Sequence, residues 1–182
     1  MEQSIKKSVT DMLIHIGEDP AREGLIDTPD RIIRSWDHIF SGYQTDPKSL
    51  ITDFSSDGYN QMVLLKDIEF YSMCEHHMLP FFGKAHIAYI PTDRVIGVSK
   101  LARILDCFSR RMQIQERIGE QVVELLSTEL HAEGAACVLE AQHLCMKMRG
   151  VEKQDAVMVT SSLRGVFLTD QSTRSEFLGL IK

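Results

Sequence analysis

Ala136-Cys137-Val138-Leu139-Glu140-Ala141-Gln142-His143-Leu144-Cys145-Met146-Lys147-Met148 is the stretch on which the reading of the fold turns. Its side chains alternate. Leu144, Met146 and Met148 share an apolar face, while His143, Cys145, Lys147 and then Arg149 share the other. A period of two predicts a β-strand over 136–148. On a strand, residues i and i+2 point the same way, so an imidazole and a thiol are expected side by side on one face. Such a pair asks what else in the chain would meet it.

The answer lies upstream, in Tyr71-Ser72-Met73-Cys74-Glu75-His76-His77-Met78-Leu79-Pro80. Cys74 and His77 are spaced C-x₂-H, which lets one tight turn aim a sulfur and a ring nitrogen at one point. Alone this is a weak signal, and two ligands do not hold a zinc ion. Set against the His143/Cys145 face, the turn makes a Cys₂His group with one tetrahedral position open. Three protein ligands plus water is the pattern of catalytic rather than structural zinc, and zinc brings the pKa of its water to about 7. His76 and His143 neighbour these ligands and suit general acid–base work. The bland reading is that Cys145 is a core cysteine, the more common fate of a free thiol. Cys107 and Cys137 lie in apolar patterns and are expected in the core. His15, His38, His86 and His131 have no partner pattern and are expected as surface or core residues.

Outward from these two segments, apolar periodicity assigns the rest. Ile5, Val9, Met12, Leu13 and Ile16 form one helical stripe, ended by Gly17 and Asp19-Pro20. Thr28-Pro29 offers an N-cap and an N1 proline for a second helix carrying Ile32, Ile33, Trp36, Ile39 and Phe40. Residues 41–61, rich in Ser, Gly, Asp and Pro, read as a loop. Strands are expected at 62–65, 68–71 and 84–90. A helix capped by Ser99 follows, with Leu101, Ile104, Leu105 and Phe108, and then a longer one with Ile118, Val122, Leu125, Leu126 and Leu130. One or two strands over 155–168 and a short helix over 173–181 close the chain. The order predicts an α+β fold with a mainly antiparallel sheet. A helical hairpin over 1–60 precedes a domain over 61–182 that bears the chemistry.

Composition narrows the function. In 182 residues the formal net charge is −6, which argues against a general nucleic-acid binder. No apolar run reaches the length of a membrane span, and Met1 to Lys7 lack the apolar region of a signal peptide. A cytoplasmic location is therefore expected, where cysteines stay reduced and favour metal or core roles.

Four separated segments then carry a resemblance: Cys74-Glu75-His76-His77, Gly97-Val98-Ser99-Lys100-Leu101-Ala102-Arg103, Gln113-Ile114-Gln115-Glu116-Arg117 and His143-Leu144-Cys145-Met146-Lys147-Met148-Arg149-Gly150. Together they resemble the GTP cyclohydrolase I family, from near Glu18 through Leu178. The resemblance implies a tunnelling fold: a four-stranded antiparallel sheet with two helices on one face, assembled into a toroidal homodecamer with active sites at subunit interfaces. It implies GTP as substrate, formate and 7,8-dihydroneopterin triphosphate as products, and Zn²⁺ as cofactor. By the same resemblance Cys74, His77 and Cys145 are zinc ligands, and His76 and His143 are catalytic. Gln115 and Glu116 take the guanine, and Ser99, Lys100, Arg103 and Arg149 take the triphosphate. Met112 and Arg164 depart from common family choices without touching these motifs. Nitrile reductases share the tunnelling fold, but they would need a nicotinamide cofactor, and no Gly-rich dinucleotide loop appears.

Overall fold

A computed structural model describes all residues, Met1–Lys182. Two compact units are distinguished, Met1–Ser41 and Gly42–Lys182. In the first, helices α1 (Glu2–His15) and α2 (Thr28–Ile39) pack together and bury Val9 and Pro29. A Lys6–Asp30 ion pair of 2.6 Å joins them. Thr28 proves to be the first helical residue and Asp27 the N-cap, so the cap lies one residue earlier than predicted, with Pro29 still in the first turn.

The second unit is built on a five-stranded sheet of order β5-β2-β3-β6-β7. Its strands are β2 (Val63–Cys74), β3 (Pro80–Ile90), β5 (Met112–Gln113), β6 (Gly134–His143) and β7 (Met158–Gly165). The pairs β2–β3, β3–β6 and β6–β7 are antiparallel, and the two-residue β5 lies parallel to the end of β2. The α+β class and antiparallel sheet agree with the sequence. The four antiparallel strands implied by the resemblance are β2, β3, β6 and β7, and the two-residue β5 adds a fifth to the sheet. The separate strands expected at 62–65 and 68–71 are one strand with a bulge between Leu65 and Ile68. There Asp67 takes a positive φ of 59° and donates its N–H to buried His86 at 3.2 Å. The expected loop at 41–61 contains two 3₁₀ turns and strand β1 (Asp53–Ser55), which pairs with β4 (Arg94–Ile96).

Helices α3 (Val98–Ser109) and α4 (Gln115–Glu129) cover one face of the sheet, α3 over β2 and α4 over β6 and β7. Gly97, not Ser99, occupies the N-cap of α3, and Ser99 lies in its first turn. The core between helices and sheet holds Phe70, Phe81, Ile87, Tyr89, Leu101, Leu105, Ile118 and Leu126. Cys107 and Cys137 are buried as expected, and complete burial pushes the Cys137 thiol up to about 12.

The predicted strand over 136–148 ends at His143. Leu144–Lys147 is instead one helical turn, α5, closed by the Met148 N–H on the Leu144 carbonyl at 3.0 Å. The reason is pairing. On one side β3 starts at Pro80, and its last partner pair is Phe81 with His143. On the other side β7 pairs no further than Ala141 with Met158. Beyond His143 no ladder satisfies the backbone, so the chain makes its own hydrogen bonds with good helix formers. On the sheet's other face Phe167 of α6 (Val166–Thr169) and Phe177 of α7 (Gln171–Leu180) pack on Ala88, Ala136 and Val138. No helix is long and apolar enough to cross a membrane.

Candidate metal and nucleotide centre

Cys74 is the last residue of β2, and the chain turns there without leaving its backbone unsatisfied. The Cys74 carbonyl accepts the N–H groups of His77 and Met78 at 3.3 and 2.9 Å, and Cys74 N–H donates to Leu79 at 2.9 Å. Met78 takes a positive φ of 52°, which lets so tight a turn close. The turn sets the Cys74 sulfur 3.8 Å from His77 Nδ1. Cys145 arrives from the α5 turn rather than from a strand face. The ligand atoms of Cys74, His77 and Cys145 lie within 4.8 Å of one another. Two soft sulfurs and an imidazole at that separation fit one thiophilic divalent ion. Cys74 is buried, Cys145 half-buried and His77 exposed, so the group opens to solvent on the histidine side. Burial, and then the neighbouring Cys74 sulfur, push the Cys145 thiol up, while Arg149 opposes them.

A cavity of about 250 Å³ opens beside the three ligands, and His76 and His143 line it with them. Gln115 and Glu116 enter from the first turn of α4. His76 is exposed, its ring 6.2 Å from that of His77. His143 stacks on Phe81, with ring centroids 4.5 Å apart and 4° between planes. Burial holds the His143 imidazole below its usual pKa, against the opposing charge of Glu116. His143 Nε2 sits 2.8 Å from Gln115 Oε1.

Gln115 is turned into the protein. Its side chain is only 1% exposed, and its amide nitrogen faces Leu139 O, Met158 O and Thr160 Oγ1 at 3.0–3.1 Å. Both amide protons are thus spent inside the protein, and none is left for a base. Glu116, next on the helix, is exposed.

Ser99, Lys100 and Arg103 sit on the first turns of α3 and Arg149 follows α5, and none of them lines this cavity. No ion pair occupies Lys100, Arg103 or Arg149. Two contributors escaped the sequence reading. Phe81, an apolar strand residue, carries no signal of its stacking role. Arg117, inside the motif Gln113–Arg117, donates to both oxygens of Glu75 at 2.6 and 3.1 Å, and its hydrogen bonds hold the Glu75 carboxyl below its usual pKa.

The GTP cyclohydrolase I family model matches residues 5–182. A protein of Wolinella succinogenes named GTP cyclohydrolase 1 is 54% identical over 100% of this chain and 96% of its own length. Its namesake in Campylobacter lari is 49% identical over 100% and 96%, and that of Chlorobium chlorochromatii is 49% identical over 100% and 82%. The crystal structure of the archaeosine synthase QueF-Like in the apo form matches 57% of this chain and 93% of its own at 13% identity, with a TM-score of 0.48. From a family model that spans nearly every residue, and from relatives about half identical from end to end, it follows that the chain belongs to the GTP cyclohydrolase I family.

Proposed function

We propose that the chain holds a zinc ion between Cys74, His77 and Cys145 and converts GTP and water to formate and 7,8-dihydroneopterin triphosphate. The observation that carries this reading is the convergence of those three ligands with His76 and His143 on one small cavity. Bound there, zinc supplies a Lewis acid that makes water a nucleophile near neutral pH.

The chain's own residues do the rest. Glu116, exposed at the start of α4, accepts from guanine N1–H and the 2-amino group together, a pairing adenine does not offer. His143, held flat against Phe81, takes up the proton that the attacking water gives up and passes it to purine N7 as the imidazole ring of the base opens. His76, exposed to solvent, serves the proton transfers of ribose opening and reclosure. Lys100, Arg103 and Arg149, free of ion pairs, with Ser99, meet the triphosphate. These four stand away from the cavity, which supports a site completed across a subunit boundary. We place the chain in the cytoplasm, as a tunnelling-fold subunit of a homodecameric toroid.

Incubating zinc-loaded protein with GTP should release formate and yield a pterin fluorescent after oxidation. Absence of both would end the reading. The division of labour is tested by product analysis. His143→Ala should stall before formate release, and His76→Ala after it. Identical blocks in both variants would overturn the assignment.

A further inference from the structure

We infer that Gln115 is a positioning residue: it fixes the ring orientation and the tautomer of His143, and it does not contact the guanine base. The inference rests on the proposed GTP reaction only for its kinetic arm.

Hydrogen bonds around the carboxamide fix its orientation. A carboxamide has two protons to give and an oxygen that can only accept. Around the Gln115 nitrogen stand the carbonyl oxygens of Leu139 and Met158, at 3.0 and 3.1 Å, and the Thr160 hydroxyl at 3.1 Å. Carbonyl oxygens have no proton, so the amide cannot be flipped without setting oxygen against oxygen twice over. Its own oxygen must therefore face His143 Nε2, at 2.8 Å. An oxygen without a proton cannot donate, so the hydrogen of that bond belongs to Nε2. In the neutral ring, Nδ1 is then the lone-pair nitrogen, left free for exchange with a substrate.

The rest of the surroundings make this choice rigid. Gln115 is 1% exposed, and its acceptors lie on β6 and β7, the strands at that edge of the sheet. The same two-sided grip ties the first residue of α4 to the strand that delivers His143. Phe81 fixes the plane of the ring by stacking at 4.5 Å and 4°. Gln115 fixes its rotation within that plane. An amide with so little exposure and no spare proton is a poor ligand for a diffusing base and a good rest for an imidazole.

The test has a spectroscopic arm and a kinetic arm. Zinc-loaded wild-type protein is made with ¹⁵N-histidine, and the His143 signals are assigned by their loss in His143→Ala. At alkaline pH, where the ring is neutral, the shifts should mark Nε2 as protonated and Nδ1 as bare. A proton on Nδ1 overturns the inference, and this arm needs no mutant of Gln115 to fold. In Gln115→Met the signals should become a mixture of tautomers; retention of the pure wild-type tautomer counts against it. In the kinetic arm, Gln115→Met should lower kcat about a hundredfold and leave KM for GTP within about threefold. A KM raised tenfold or more with kcat kept would make Gln115 a substrate contact and sink the proposal. If wild-type protein forms no pterin, the proposed reaction fails while the tautomer measurement still decides the role of Gln115.

Discussion

Cys145 bears most of the weight at the scale of single residues. It is the half-buried member of the candidate metal group, the one supplied by a segment remote in sequence, and burial and then the Cys74 sulfur raise its thiol pKa. A metal ion must displace the thiol proton to bind. The sign follows: acid restores the thiol and competes with the ion. Zinc affinity, measured by chelator competition, should fall about tenfold per pH unit for each proton displaced. A pH-independent affinity would exclude thiol ligation. Cys145→Ser replaces an ionisable soft ligand by a hydroxyl that stays protonated, so zinc content and turnover should both collapse. Because Cys145 sits on a turn at the edge of the core, the circular dichroism spectrum should be retained. Near-normal turnover in that variant would remove Cys145 from the metal shell. Gly165 is the opposite case, a residue whose chemistry is absent but whose geometry is indispensable. It joins β7 to α6 at φ 57° and ψ −134°, and a Cβ there would collide with the Glu133 carbonyl oxygen. Gly165→Ala should cost about 1–3 kcal/mol in denaturant unfolding.

At the scale of elements, the site is a meeting of ends: the end of β2, the end of β6 and the start of α4. What registers them is a small polar knot. Glu75 N–H donates to the Gln113 carbonyl at 3.0 Å, and Arg117 on α4 reaches both oxygens of Glu75 and the Gln113 side chain. The ligand turn is thus tied to the helix that presents Glu116. Arg117→Ala should leave the melting temperature almost unchanged, since an exposed ion pair contributes little to global stability. It should lower kcat/KM about tenfold, because the Cys74–His77 turn and the start of α4 lose their common reference. A large drop in melting temperature with normal turnover would show the knot to be structural only. The element scale is also where sequence reading succeeds and fails for physical reasons. Long periodic segments such as α4, β3 and β6 up to His143 declare themselves, because a dozen residues sample a period several times. The α5 turn and β5 do not, being four and two residues long. The alternation of Leu144, Met146 and Met148 suited a strand, yet what ended β6 was the exhaustion of its neighbours at Phe81 and Met158, a tertiary fact. The spacing of Cys74, His77 and Cys145 was legible because metal ligation leaves few residue types to choose from. The fate of Gln115 was not, since nothing local distinguishes an amide that greets a ligand from one buried at 1% exposure.

At the scale of the whole molecule, the sheet has two unfinished edges. Along β2, only Met73 and Cys74 find a partner in β5, and the strand before them is unpaired on that side. At the far edge β7 has no neighbour beyond it, and it carries Val159 at 58% exposure, with Val157 at 50% just before it. Long open edges with apolar side chains invite pairing with another chain unless charges or prolines blunt them. Here Val157 and Val159 are left bare, so the edge suits a permanent neighbour better than water. The homodecamer implied by family resemblance would close both edges. Mass photometry of the zinc-loaded protein should therefore find particles of ten times the 20.7 kDa chain. Val159→Lys puts a charge on the edge and should shift the population to smaller species. Cys74, His77 and Cys145 come from one chain, so those small species should still bind zinc. If Ser99, Lys100, Arg103 and Arg149 meet a triphosphate held partly by a neighbour, the same species should lose GTP turnover. Separated subunits with full activity would refute the shared site, and particles of wild-type size with full activity would free β7 from any part in assembly.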